Sequence, residues 1–387
     1  MIHINNKEDC CGCTACESIC GTKAITLKSD EEGFLYPTVD IDKCIDCHLC
    51  EKVCPIIFRK NQDVTINSQQ YYALRHKDEK VLKKSSSGGA FSVLSSLVLS
   101  KGGVVIGATY DEKMEVRHIM VKSIENLPRI CGSKYVQSDI LGLFQTLKKM
   151  LDKGILVLFS GTPCQVEGLN LFLRKKYKNL ITIDIVCHAV GSPKLFKEYI
   201  GYLETKLKNK VTWMNMRDKD NYGWGHRFSQ RAWTKNGKSI SEKDGFFPWW
   251  NIFYSHMTNR PSCHECKFTN FSRPGDITIA DFWDDRNLRP ELHSIKGTSV
   301  CIVNSEKGGQ LLNDAHKSAD IWEITKEQAW QPCLETPTLA NEKREEFWKM
   351  YEKEGLVKAY EKFIYIPLRI RMMWWIKDSI ASIIGYK

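Results

Sequence analysis

Apolar and polar positions change rhythm along this chain, and the change marks its organisation. Near the start, Ala24-Ile-Thr-Leu27 and Phe34-Leu-Tyr-Pro-Thr-Val39 flank a polar stretch at 29–33, the pattern of a hairpin across a turn. A small module ending near Ile57 follows from this, and the polar segment 58–70 reads as a linker. From Tyr71, short β-rich runs alternate with helical ones, which argues for an α/β domain. Strands are predicted at 103–109, 116–121, 155–159, 180–186, 276–281 and around Ile302. Helices are predicted at 91–99, 141–151, from the 161–165 turn to about 177, and from about Gly309.

Chemistry enters with the cysteines. The stretch 44–55 reads C-x2-C-x2-C-x3-C-P, and the same cysteine spacing occurs at Cys10, Cys13, Cys16 and Cys20. Three thiolates at three-residue steps wrap one face of a cubane cluster, while the fourth lies too far along and reaches the neighbouring one. That crossed pattern belongs to two-cluster bacterial ferredoxins. It assigns Cys10, Cys13, Cys16 and Cys54 to one 4Fe-4S cluster, and Cys20, Cys44, Cys47 and Cys50 to the other. Gly21 stands where a proline usually follows the fourth cysteine, and Cys11 is a ninth thiol available as an alternative ligand. Structural zinc fits badly, because it takes paired C-x-x-C clips or Cys/His mixtures.

Sixteen cysteines in 387 residues would suit a disulfide scaffold in an exported chain, but the N-terminal residues carry no apolar signal core. A reducing, cytoplasmic setting is expected. The formal charge of +10 is scattered rather than clustered. Each 4Fe-4S centre with four thiolates carries about −2, so three would leave roughly +4. No nucleic-acid partner is expected.

Beyond the first module, Cys164 and Cys187 fall at carboxyl ends of predicted strands, where open α/β sheets collect ligands. Cys263 and Cys266 form a further two-ligand clip. These four thiols would converge on one metal centre, either a third 4Fe-4S cluster or structural zinc. The run 84–90, Lys-Ser-Ser-Ser-Gly-Gly-Ala, precedes an apolar helix, so its backbone N–H groups suit an anion; a serine cap with a glycine turn gives the same pattern. No G-x-G-x-x-G or Walker sequence is present. The aromatic-rich segment 211–250, including Trp213, Tyr222, Trp224, Phe228 and Phe246, reads either as core or as the wall for a flat cofactor. In the closing segment, Arg369, Arg371, Lys377 and Asp378 exclude a spanning helix. Trp374, Trp375 and the cations around them predict either an interfacial anchor over 363–387 or docking on the protein's own core.

The succession Ser-Ser-Gly-Gly-Ala-Phe-Ser, Gly132-Ser-Lys-Tyr-Val-Gln-Ser138, Gly161-Thr-Pro-Cys-Gln165, Asp184-Ile-Val-Cys-His188, Arg260-Pro-Ser-Cys-x-x-Cys266 and Asp276-Ile-Thr-Ile-Ala-Asp-Phe-Trp283 resembles the coenzyme F420 hydrogenase/dehydrogenase beta-subunit family. The resemblance runs to about Leu312 and implies an iron–sulfur flavoprotein with FAD beside a 4Fe-4S cluster. It implies that Ser86, Ser87, Gly88, Gly89, Lys134 and Tyr135 bind the flavin, and that Cys164, Cys187, Cys263 and Cys266 hold the proximal cluster. Cys187-His-Ala-Val-Gly-Ser-Pro193 departs from the Cys-His-Gly-Val-Pro-Ser-Pro common in relatives, and Asp284 stands where a glycine often follows the tryptophan. Relatives of this shape occur among exopolysaccharide genes, which implies a sugar or lipid-linked glycan substrate, with the deazaflavin F420 as the other choice.

The expected fold is therefore an α+β ferredoxin-like module (1–57), the linker, an α/β mixed-sheet flavin and iron–sulfur domain (71–335) and a helical tail (336–387). The expected activity is a flavin-dependent reductase or dehydrogenase fed by a ferredoxin or a reductase, working in the cytoplasm and peripherally at the inner face of a membrane. A flavin joins one-electron carriers to a two-electron substrate. His188 is the candidate proton donor, with Lys134 and Tyr135 second. The competing readings are a non-catalytic electron-transfer or redox-sensing subunit, and a zinc-stabilised binding module carrying a ferredoxin.

Overall fold

The computed structural model describes residues 1–61, 68–220, 223–225, 230–241, 244, 247–284 and 287–365. Tyr222, Phe228, Phe246 and the tail from 366 onward, with Trp374 and Trp375, lie outside them.

The strands in chain order are β1 (Ile25–Ser29), β2 (Leu35–Val39), β3 (Gln70–His76), β4 (Val104–Tyr110), β5 (Val116–Val121), β6 (Val157–Gly161), β7 (Leu180–Ile185), β8 (Val211–Asn215), β9 (Arg231–Thr234), β10 (Ser239–Ser241), β11 (Ile277–Asp281), β12 (Ser299–Val303) and β13 (Ala319–Ile324). Eight of them form one mixed sheet in the order β13-β3-β12-β11-β7-β6-β4-β5. Its centre, β11-β7-β6-β4, is parallel, and antiparallel strands close both sides. The strands at the centre are apolar on both faces, as Val157-Leu-Phe159 and Leu180-Ile-Thr-Ile183 show, and both faces are covered. The helices Ala90–Ser100 and Glu306–Asp314 pack on one side of the sheet with Val105, Leu158 and Ile183. Leu143–Asp152 and Pro163–Leu173 pack with Val104, Ile106 and Phe159.

The first module holds the antiparallel hairpin β1/β2 and two short helices, Ala15–Ile19 and Leu49–Lys52. Its backbone repeats itself. Gly12 and Thr14 have positive φ of 70° and 63°, and the equivalent positions of the second cysteine run, Asp46 and His48, have 49° and 58°. Two copies of one loop conformation, each with left-handed residues two and four after its first cysteine, turn backbone N–H groups into a concavity suited to an anion.

The stretch expected to be a linker differs from that reading. Residues 58–61 belong to the helix Pro55–Asn61, and Gln70 opens β3; 62–67 lie outside the described residues. The helix is docked because Arg59 and Glu167 form a buried ion pair at 2.9 Å, with the guanidinium over Phe268. Polarity signalled exposure, but a buried carboxylate at Glu167 demanded a partner.

The tail segment Arg344–Phe363, two helices meeting at a kink at Gly355 (φ 81°), buries Phe347, Trp348, Tyr351 and Tyr360 in the core that contains Tyr199 and Trp249. Phe247 stacks on Tyr360 at 4.0 Å. Among the described residues of the aromatic segment, Trp249 is in this core and Trp213 and Phe247 pack against it, while Trp250 is also buried. Among the described residues no helix is long and apolar enough to cross a membrane.

Candidate functional site

The two cysteine groups meet where the first module sits on the helix Pro163–Leu173. Cys10, Cys13, Cys16 and Cys54 lie within electrostatic reach of one another, and burial, ahead of these neighbours, raises Cys16 and Cys54. Cys20 and Cys50 pack around Ile2 and Ile25, where Cys50 Sγ accepts from the Ile2 N–H at 3.2 Å. Cys44 is half-buried and Cys47 exposed.

The turn Gly161-Thr-Pro-Cys-Gln165 carries β6 into its helix. Gln165 Oε1 accepts the Thr162 N–H at 3.0 Å, Pro163 needs no donor in the first turn, and Cys164 is thereby fixed at the helix start. Cys187 follows β7, whose Asp184 is locked by Arg273 at 3.1 Å in a fully buried pair; Gly275 N–H donates to the same carboxylate at 2.9 Å. That pair ties the segment after Cys266 to the strand end carrying Cys187. Cys187 feels Cys263, Cys164 and Cys266, and burial is the larger cause of its raised pKa. Burial likewise pushes Cys263 up to about 12 and Cys266 up to about 11. Crowded and half-buried, the four thiols resist ionisation despite Arg260 and Arg273 nearby; a bound metal centre would remove that penalty by displacing their protons. Among the described residues no three ligand side chains close around a single ion. Four cysteine thiolates are a donor set that a 4Fe-4S cluster takes and that structural zinc also takes.

Two thiols that sequence spacing did not place also lie here. Cys11 packs with Cys13 and Cys164 in one cluster, bridging the first module and the second cysteine group. Cys333 lies beside Cys187, and its Sγ is 3.5 Å from His188 Nδ1. Arg260 joins the same two regions. It is fully buried, donating from Nε to Cys10 O (2.7 Å), from Nη1 to Gln137 Oε1 (2.8 Å) and from Nη2 to Leu35 O (2.9 Å). Its own carbonyl accepts the Cys263 N–H at 2.9 Å.

Beyond the sheet's carboxyl edge a cavity of about 330 Å³ opens, lined by Ser86, Ser87, Gly89, Lys134, Tyr135, Cys187 and His188. The volume is at the lower end of small-molecule sites, about 300–1,000 Å³. The serine loop ends at Gly89, whose φ of 87° turns the chain into the helix Ala90–Ser100 with no side-chain cap. Gly88 does not line the cavity; a Cβ there would lie 2.2 Å from Leu74 O and 2.4 Å from Ser299 N, so sheet packing explains it. Ser86 Oγ accepts the Ser133 N–H at 2.9 Å, joining the loop to the 132–138 block.

Lys134 is buried, donates to Cys131 O and Gly132 O at 2.8 Å, and burial lowers it to about 7. Burial holds His188 at about 4, helped by His256, whose Nε2 is 3.1 Å from His188 Nε2. His188 is thus neutral near pH 7. His118, absent from the sequence-based set, also lines the cavity and is lowered to about 4 by burial. Its Nε2 faces Ser160 O at 2.8 Å and therefore carries the proton, leaving Nδ1 as a buried acceptor with no partner among the described residues.

Residues 155–328 match the family model for the C terminus of the coenzyme F420 hydrogenase/dehydrogenase beta subunit, and residues 9–56 match the 4Fe-4S dicluster domain. No curated protein matches the chain. Among solved structures, a chain of the xenon-derivatised F420-reducing NiFe hydrogenase complex from Methanosarcina barkeri is similar at 16% identity and a TM-score of 0.45, covering 76% of this chain and 90% of that chain.

Proposed function

We propose that this chain, a member of the coenzyme F420 hydrogenase/dehydrogenase beta-subunit family with a 4Fe-4S dicluster domain ahead of it, carries electrons from an external donor to a flavin-served cavity. The observation that carries this reading is the contact of Cys11 with both Cys13 and Cys164, which brings the dicluster loop against the second cysteine group. Cys187 of that second group lines the cavity itself.

Residues around the cavity suit FAD. The uncapped N-terminus of Ala90–Ser100 would hold phosphate oxygens, and the orphaned His118 Nδ1 would accept from a ring N–H. A bound flavin exchanges hydride with a substrate and single electrons with a cluster. The chain's own part is to exclude water with Tyr135, Phe253 and Tyr254, and to hold a proton at Lys134 Nζ, which titrates near neutrality. His188, being neutral, would hydrogen-bond at the same wall and donate to the product if its pKa rises on binding. A sugar or lipid-linked glycan, or the deazaflavin, would be the substrate, and a ferredoxin or a reductase the donor. Cytoplasmic work at a membrane face completes the reading, with 363–387 as the contact.

Anaerobic reduction with a viologen donor tests the path. Wild-type protein should reduce its clusters and then its flavin, whereas Cys164→Ser should reduce the dicluster and leave the flavin oxidised. Unchanged flavin reduction in that variant would remove the second cysteine group from the path and favour a non-catalytic carrier.

A further inference from the structure

The segment after β8 puts a cation into the cavity wall for which the electron path has no use. Arg217 is 7% exposed, and its guanidinium lies 5.8 Å from the Trp250 ring and 5.7 Å from the Trp283 ring. Nη1 donates to Asp281 Oδ2 at 2.9 Å and to the Tyr135 hydroxyl at 3.0 Å. Asp281 is held in turn by Trp224 Nε1 at 3.1 Å. Nη2 is buried and has no hydrogen-bond partner among the described residues. Arg217, Tyr135, Asp281 and Trp283 all line the cavity.

A buried guanidinium nitrogen without a partner is uncommon, because its desolvation is then left uncompensated. Salt pairing does not account for it: one carboxylate oxygen is bonded to Nη1, and the other is taken by Trp224. The two flanking indoles fix the plane of the fork, which leaves the open nitrogen preorganised for an incoming acceptor. Lys219, two residues on, is held away by its bonds to Leu82 O, Ser87 O and Lys296 O, and burial, then Arg217, lowers it to about 7. With the Arg217–Asp281 pair neutral, an anion at Nη2 would favour the protonated form of that lysine.

We propose that Arg217 Nη2 binds an oxyanion of the two-electron substrate, a carboxylate or a phosphate, and so orients it in the cavity. This rests on the cavity being the reaction site proposed above. The serine loop would serve the cofactor's phosphates, and Arg217 the substrate.

The test is calorimetric titration of the anaerobically purified protein with inorganic phosphate and, separately, with malonate, alongside flavin content. Wild-type protein should bind at least one saturably, and the tighter of the two names the group. Arg217→Gln should weaken that binding about tenfold or more, since a charge-assisted hydrogen bond is lost, with flavin content unchanged. Arg217→Lys keeps the charge but not the planar fork, and decides the matter should the glutamine variant not fold; it too should bind more weakly. Unaltered affinity in the lysine variant, or no binding of either anion by the wild type, overturns the proposal. Loss of flavin from the variants also overturns it, because Arg217 would then hold the cofactor. Wild-type protein that binds an anion through Arg217 but holds no flavin would contradict the flavin reading and leave the oxyanion site standing.

Discussion

Gly168 and Cys13 meet so closely that a methyl group on Gly168 would lie 2.9 Å from the cysteine sulfur and 3.0 Å from its Cβ. The helix Pro163–Leu173 that carries Cys164 is therefore in direct contact with a ligand loop of the first module. Glycine is present for clearance, since in mid-helix it costs about 1 kcal/mol relative to alanine. Gly168→Ala should gain that propensity and lose more, about 1–3 kcal/mol, to overpacking. Net destabilisation in urea unfolding, with iron lost from the first cluster, is the expected outcome; a more stable variant with full iron would refute the contact.

Arg260 fastens the same junction with three side-chain hydrogen bonds to Cys10 O, Leu35 O and Gln137 Oε1. Arg260→Met leaves those acceptors buried and unpaired, at about 1–3 kcal/mol each. The urea midpoint should fall accordingly. Arg260→Lys should recover little, because an ammonium cannot span the three directions of the fork.

The cysteine groups should separate by iron content. Cys164→Ser or Cys187→Ser should lose about four of about twelve irons per chain. Cys11→Ala and Cys333→Ala should keep all of them, although Cys11 packs with Cys13 and Cys164 and Cys333 lies beside Cys187. Iron and acid-labile sulfide assays decide it, and a loss of four irons from Cys11→Ala would make that thiol a ligand.

Burial lowers Lys134 and Lys219 to about 7 from the ordinary 10.5. The unfolded chain therefore binds protons that the folded chain releases between those values, and the contribution of these lysines to stability rises with pH across that window. It is lost as pH falls through about 7. Lys134→Met removes one of the two groups, so the slope of unfolding free energy against pH between about 7 and about 8.5, below free-thiol ionisation, should be shallower than in the wild type. Equal slopes would show that Lys134 does not titrate there.

Local spacing made the cluster loops, the strand-end cysteines and the serine loop legible in the sequence. Each of these signals lies within about a dozen residues. What escaped depends on contacts between distant segments. Nothing near Cys11 announces Cys164, and nothing near Cys333 announces Cys187. His118 sits mid-strand in β5 and reaches the cavity because β4, β5 and β6 bring it to Ser160. Arg217 lies within the aromatic-rich segment 211–250, and nothing there announces Asp281 or Trp283, which turn it inward. The docking of residues 58–61, the first of the expected linker, escaped for the same reason, since the partner of Arg59 is 108 residues away. Aromatic density over 211–250 did not distinguish core from cavity wall: Trp249 is buried in the core, while Trp250, also buried, borders Arg217.

Stoichiometry tests the central claim most directly. Protein purified without oxygen should contain about twelve irons, matching acid-labile sulfide and one flavin per chain. About eight irons with one zinc and no flavin would confine the redox chemistry to the dicluster domain and contradict an electron path into the cavity.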